Sequence, residues 1–268
     1  MVHVNYEFLM KIEDAEKACW QAYLSGAQIL QGNPFGIHFS NLGKSTAFLV
    51  KSSSSQFFNK TLGFGVEHLE NLQDLFDFYH NNEKMCTIEL IPSPDDETLL
   101  LTLARNGLYN CGHSVMLYKS IDSEISEKKD IEVKQVGKNE TRLLAEIHVQ
   151  GFEFQGDDAE QEYKIVEEGY KHKNFHSFIA MKDGQMIGAG SLFIHHDVGI
   201  LFGGATIPKY RGMGGQRALL EHRINFALNQ GCKVLASHTT LYSASQRNLE
   251  RVGFRIACIR SRWSDYPL

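Results

Sequence analysis

The run Arg211-Gly212-Met213-Gly214-Gly215-Gln216-Arg217 brings together residue types that hold an anion. An apolar, strand-like stretch at residues 199–206 leads into it, and Ile207-Pro208-Lys209-Tyr210 breaks that stretch. A helical pattern over residues 216–229 follows, with Leu220, Ile224, Ala227 and Leu228 on one face. Glycines where a helix begins leave backbone N–H groups uncovered, and a helix N-terminus carries about half a positive charge. Diphosphate is the usual occupant of such a place. Arg211 adds a fork of donors matched to phosphate oxygens.

Two familiar phosphate patterns do not fit. A P-loop ends in Gly-Lys-Ser/Thr, where this chain has Gly215-Gln216-Arg217. A dinucleotide fingerprint needs a third glycine, where Arg217 stands, and an acid about 20 residues on, where Gly231-Cys232-Lys233 stands. What remains is strand, proline turn, Arg-Gly-x-Gly and amphipathic helix. That order resembles motif A of the GNAT superfamily of acyl-CoA-dependent N-acyltransferases, whose pattern is Gln/Arg-x-x-Gly-x-Gly/Ala. Arg211 and Gly214 match its first and fourth positions; Gln216 departs from the sixth, and Gly215 beside it keeps the backbone approachable.

The resemblance covers residues 131–268. It implies that Arg211, Gly212, Met213, Gly214, Gly215, Gln216 and Arg217 hold the pyrophosphate of acetyl-CoA. It also implies that the backbone of Gly204, Ala205 and Thr206, on a strand splayed from its neighbour, pairs with the pantetheine arm, and that Asn248 contacts a pantetheine amide. Gly203-Gly204 would permit a bulge there. The tyrosine that the family often places four residues before the closing glycine is Leu249 here, which has no proton to give. Tyr242 is the candidate acid in its stead. His238 and Glu153 are the candidate bases for deprotonating an attacking amine. Each of the three also fits a bland role: a surface aromatic, a half-buried strand histidine, a solvated loop acid. His195 and His196 lack partners at metal-ligand spacing, so no metal is expected.

These residues need a scaffold, and the 268-residue chain is long enough for two small domains. The expected class is α+β or α/β: two GNAT-like domains, each a mixed, mostly antiparallel central sheet flanked by helices. The first spans 1–122, a polar linker 123–130, and the second 131–268. Helices are read over residues 1–30, 69–80, 95/96–106, 141–150, 157–170 and 216–229, with a short one from Ser243. Strands are read over 47–50, 87–91, 114–118, 131–136, 175–181, 186–194, 198–206, 233–240 and 254–263, and residues 52–55 as a loop. Leu103-Ala-Arg-Asn-Gly-Leu108 and Leu249-Glu-Arg-Val-Gly-Phe254 form a weak repeat near the ends of the two halves. The first half has no Arg/Gln-x-x-Gly-x-Gly; Gly63-Phe64-Gly65 lacks the preceding cation, so that half reads as a degenerate domain without the cofactor loop.

Composition is that of a globular protein, with 43% hydrophobic and 22% charged residues. The net charge of −5 argues against nucleic acid. Without an 18-residue apolar run, a signal-like start or paired cysteines, the expectation is a cytoplasmic protein that does not meet a membrane. The expected partners are acetyl-CoA and an amine acceptor, with a homodimer left open. The expected activity is N-acetyl transfer by direct attack. A non-catalytic acyl-CoA-binding regulatory module and a nucleotide-binding protein are the rivals.

Overall fold

The computed structural model describes residues 3–53, 55–94, 96–127 and 130–265. Met1 and Val2 of the first expected helix, Ser54 of the serine loop, Asp95 as the earlier helix start, Lys128 and Lys129 of the linker, and residues 266–268 lie outside the described residues.

Helix α1 (Tyr6–Gln28) starts where the Asn5 side chain accepts from the Phe8 N–H at 2.9 Å, satisfying an orphan donor of the first turn. The first half continues through β1 (Ile37–Leu42), β2 (Ser45–Val50), β3 (Lys60–Leu62), α2 (Leu72–His80), β4 (Thr87–Leu90), α3 (Asp96–Arg105) and β5 (Tyr109–Ser120). The second half runs β6 (Glu132–Val136), α4 (Thr141–Phe152), α5 (Gly156–Gly169), β7 (Phe175–Lys182), β8 (Gln185–His195) and β9 (Val198–Thr206). It ends with α6 (Gly215–Asn229), β10 (Val234–Thr240), α7 (Ala244–Arg251) and β11 (Arg255–Ser264). Strands β1 and β3 add to those read from sequence. One is only three residues long and the other alternates irregularly between buried and open positions, so neither shows a clean two-residue period.

All strands belong to one sheet, ordered β1-β2-β3-β4-β11-β5-β10-β9-β8-β7-β6. The pairs β3–β4 and β9–β10 are parallel, and the other neighbours are antiparallel. The sheet is thus mixed and mostly antiparallel, as expected, but continuous across both halves. Each half ends in a strand lodged in the other: β11 lies between β4 and β5, and β5 lies between β11 and β10. The repeated hexapeptides sit at matching points of this exchange, closing α3 into β5 and α7 into β11. Gly107 and Gly253 take φ of +82° and +89° at the two helix ends, the left-handed turn that glycine permits.

The halves also share a core. Helix α1 lies against α5 and over the sheet, and its Tyr23 ring meets Tyr170, Phe175 and Phe202 of the second half. Its buried stripe carries Ile12, Ala15 and Cys19 together with two carboxylates, Glu13 and Glu16. Burying charge is costly unless it is paired, which directs attention to what those acids face.

Candidate functional site

Strands β9 and β10 pair only from Val198–Val234 to Ile200–Ala236 and then part. The β8–β9 register shifts between Ala189 and Ser191, opposite Gly203 and Gly204. Gly203 has φ +58°, and a Cβ there would overlap the Tyr170 hydroxyl. The paired glycines therefore make the bulge read from sequence, and the backbone from Gly204 to Thr206 lacks a neighbour on the β10 side. The Thr206 Oγ1 is buried with no hydrogen-bond partner.

Below the splay, Gly212 and Gly214 take φ of +83° and +89°, and a Cβ on Gly212 would meet nothing within 4 Å. No side chain caps the start of α6, so its first N–H groups are free to meet an anion. Gln216, the departure from the family pattern, turns away from this loop: its Nε2 donates to the Ala205 carbonyl at 2.7 Å. Arg217 Nε donates to Glu221 Oε1 at 2.6 Å. Arg211 Nη2 donates to the Gly151 carbonyl at 2.8 Å and to Glu153 Oε2 at 2.9 Å. Met213 is exposed.

The splay opens into a cavity of about 1090 Å³. Of the sequence candidates, Gly204, Ala205, Thr206, Arg211, Gly212, Gly214, Gly215, Gln216, Arg217, Asn248 and His238 line it. Met213, Glu153 and Tyr242 do not figure among its lining residues. Tyr242 is 79% exposed, and Glu153 is held by Arg211. Leu249 lines the cavity as part of the core, with no proton to offer.

The cavity floor comes from the first half, none of whose residues was among the site candidates read from sequence. His238 Nε2 lies 2.5 Å from Ser114 Oγ of β5, and its Nδ1 lies 3.4 Å from Glu16 Oε1 of α1. Glu89 of β4 stands 3.9 Å from Nε2. Beneath them Arg260 of β11, fully buried, reaches Glu16 at 2.7 Å and Glu13 at 3.6 Å. Burial is the largest single influence and pushes the Glu16 carboxyl up, but Arg260, His238 and Lys60 together outweigh it and hold the group well below the ordinary range. Burial likewise pushes Glu89 up most, and Lys60, His238 and Arg260 together outweigh it, leaving that carboxyl lowered. For Glu13 burial wins over Arg260, and the group rises to about 7. His148 lines the same cavity from the α4 side, where its Nε2 lies 3.6 Å from Glu162 Oε2 behind it and its Nδ1 is buried without a partner. The one available sequence signal was Glu13 and Glu16 interrupting the apolar stripe of α1.

Residues 142–254 match the model of the Acetyltransferase (GNAT) family. A comparison with curated protein sequences finds no match. Among solved structures, a GCN5-related N-acetyltransferase from Kribbella flavida superposes with a TM-score of 0.62 at 13% identity, over 92% of this chain and 96% of that one. A GCN5-related N-acetyltransferase from Sphaerobacter thermophilus gives 0.58 at 12% identity, over 93% and 92%. A tandem GNAT protein from the clavulanic acid biosynthesis pathway gives 0.55 at 12% identity, over 70% and 67%. At these identities the likeness is one of fold, and it extends across both halves.

Proposed function

We propose, from a chain whose second half is a GNAT acetyltransferase domain, that it moves an acetyl group from acetyl-CoA to an amine by direct attack. The carrying observation is the splay itself: unpaired β9 backbone above, an uncapped helix start and Arg211 below, and His238 in the cavity between. The residues present suit the co-substrate. The approach to α6 through Gly212 and Gly214 leaves room for a diphosphate, and the orphaned Thr206 hydroxyl lies along the strand that would take the pantetheine amides. Acetyl-CoA supplies an acyl group already activated as a thioester.

The remaining work falls to this chain. The β9 N–H groups beside Gly204 and Ala205 would polarise the thioester carbonyl, fixed donors that need no reorganisation. His238 takes the amine's proton at Nε2, while Glu16 near Nδ1 favours the tautomer that leaves Nε2 free to accept. Ser114, on Nε2 at 2.5 Å, is placed to pass that proton along. With Leu249 in place of an acid, thiolate departure proceeds without a dedicated donor.

Acetyl-CoA binding followed by calorimetry, with free thiol measured against a panel of amines, tests the reading. Binding with thiol release for at least one amine is expected. Binding with no turnover for any amine would favour the regulatory module, for which Leu249 and the Glu153–Arg211 contact speak.

A further inference from the structure

Lys60 is almost fully buried, yet lines the cavity. Its ammonium lies over the Trp20 ring, 4.2 Å from the centroid. Among the described residues it has no hydrogen-bond partner, and the Glu89 carboxylate stands off at 4.0 Å. Glu89 Oε2 is the mirror case. It is buried with no hydrogen-bond partner, ringed by Lys60 at 4.0 Å, His238 at 3.9 Å and Arg260 at 3.8 Å. A donor and an acceptor of opposite charge thus stand side by side in the cavity wall, neither one satisfied. Leaving such groups unpaired is costly, and a ligand that satisfies both removes that cost. Arg262 extends the cationic side: its Nη2 lies 3.4 Å from Glu89 Oε1 and its Nε is buried without a partner.

We infer that this pair is the acceptor subsite and that the acceptor is a zwitterion, an α-amino acid or a molecule ending in one. The inference rests on the transferase reading and names its substrate class. The acceptor's carboxylate meets Lys60, with Arg262 beside it, and its ammonium meets Glu89 Oε2. That places the nitrogen next to His238 Nε2, which faces the same carboxylate oxygen. The ammonium gives one proton to His238. Its nitrogen then forms a bond to the thioester carbonyl carbon, the C–S bond breaks, and the electron pair stays on sulfur. The second proton leaving nitrogen balances the thiolate. A plain amine or polyamine meets Glu89 but brings no carboxylate to Lys60 and adds a second cation beside it, so the same residue that selects a carboxylate disfavours such acceptors.

Calorimetric titration of the full chain with the twenty common L-amino acids, without acetyl-CoA, tests the subsite by itself. At least one is expected to bind, and removing either its carboxylate or its amine should weaken binding by about 10-fold or more. Lys60→Met should abolish the preference for the amino acid over its decarboxylated amine. Glu89→Gln should weaken both. Should Lys60→Met fail to fold, Lys60→Arg keeps the charge and should keep the preference. Binding of the decarboxylated amine as tightly as the amino acid, or of no amino acid at all, would overturn the inference. With acetyl-CoA added, thiol release by the bound amino acid is expected. An amino acid that binds while acetyl-CoA neither binds nor is cleaved would overturn the transferase reading and leave the subsite standing.

Discussion

The turns from β9 to α6 and from β3 to α2 occupy equivalent places in the two halves, each following a strand of a parallel pair. In the second half the turn carries Arg211, two left-handed glycines and an uncapped helix start. In the first, Gly65 is followed by a 3₁₀ segment, Val66–Asn71, and the Gly65 N–H donates to His68 Nδ1 at 3.0 Å. The Glu67 carboxylate crowds the same spot, within 2.5 Å of where a Cβ on Gly65 would sit. One turn leaves its donors open beside a cation, while the other fills a donor from within and adds an anion. The same kind of strand framework thus carries an open anion site in one half and none at the matching turn of the other. The half without it supplies Glu16, Lys60, Glu89 and Ser114 to the shared cavity.

Separating the halves should have the largest effect. Strand β10 would lose β5, and β11 would lose both β4 and β5, its only sheet neighbours. A 131–268 fragment is expected to show no cooperative thermal transition by circular dichroism, and mixing it with residues 1–130 during refolding should restore one. A fragment that melts cooperatively alone, with full activity, would mean that the first half is dispensable to the site.

Next comes Gly203→Ala. It sets a side chain at φ +58° and against the Tyr170 hydroxyl, so a loss of about 2–4 kcal/mol is expected in chemical denaturation. A strained β9 should also close on β10, and acetyl-CoA affinity should fall with stability. The first half has no counterpart: β3 reaches only Leu62 and carries no such bulge.

How much of this could be read beforehand differs between the same two regions. The loop was legible because its chemistry is contiguous, and Arg211, Gly212 and Gly214 had to stand together to work. Most helices and strands of the second half showed their periods, and Asp183-Gly184 joined β7 to β8 as a tight hairpin should. The floor was not legible, because Glu16, Lys60, Glu89, Ser114 and His238 lie on five elements that only the strand exchange gathers. A sequence does not announce that its last strand will cross into the other half. Glu153, read from sequence as a loop acid near the cleft and a candidate base, has a left-handed backbone at the end of α4 and accepts a hydrogen bond from Arg211.

The buried acids give the floor an opposed pH response. Glu13, raised from 4.5 to about 7 by burial, holds its proton better folded than unfolded. Its stabilising contribution is complete below about 4.5 and is lost as pH rises towards 7. Glu16 and Glu89 are lowered, so theirs is present above 4.5 and lost on acidification. Glu13→Gln removes only the first response. Its melting temperature relative to wild type should climb between pH 5 and 8, by on the order of several degrees. A flat difference across that range would mean that Glu13 is not the proton-holding member of the cluster.

Charge changes at the two turns sharpen the comparison most finely. Arg211→Glu should weaken acetyl-CoA binding by roughly 10- to 100-fold, since it removes a charge-assisted contact and adds repulsion. The matching site in the first half should be silent, so Glu67→Gln should leave the affinity where it was. Between these lies Glu153→Gln. In the structure Arg211 is shared with Glu153 and the Gly151 carbonyl, and a diphosphate has to compete for it. Both side chains are more than half exposed, so the pair is worth little. Releasing Arg211 should tighten acetyl-CoA binding by no more than about 5-fold, and the gain should shrink with added salt. Weaker binding in Glu153→Gln would instead mean that the carboxylate holds Arg211 in place for the diphosphate rather than competing with it.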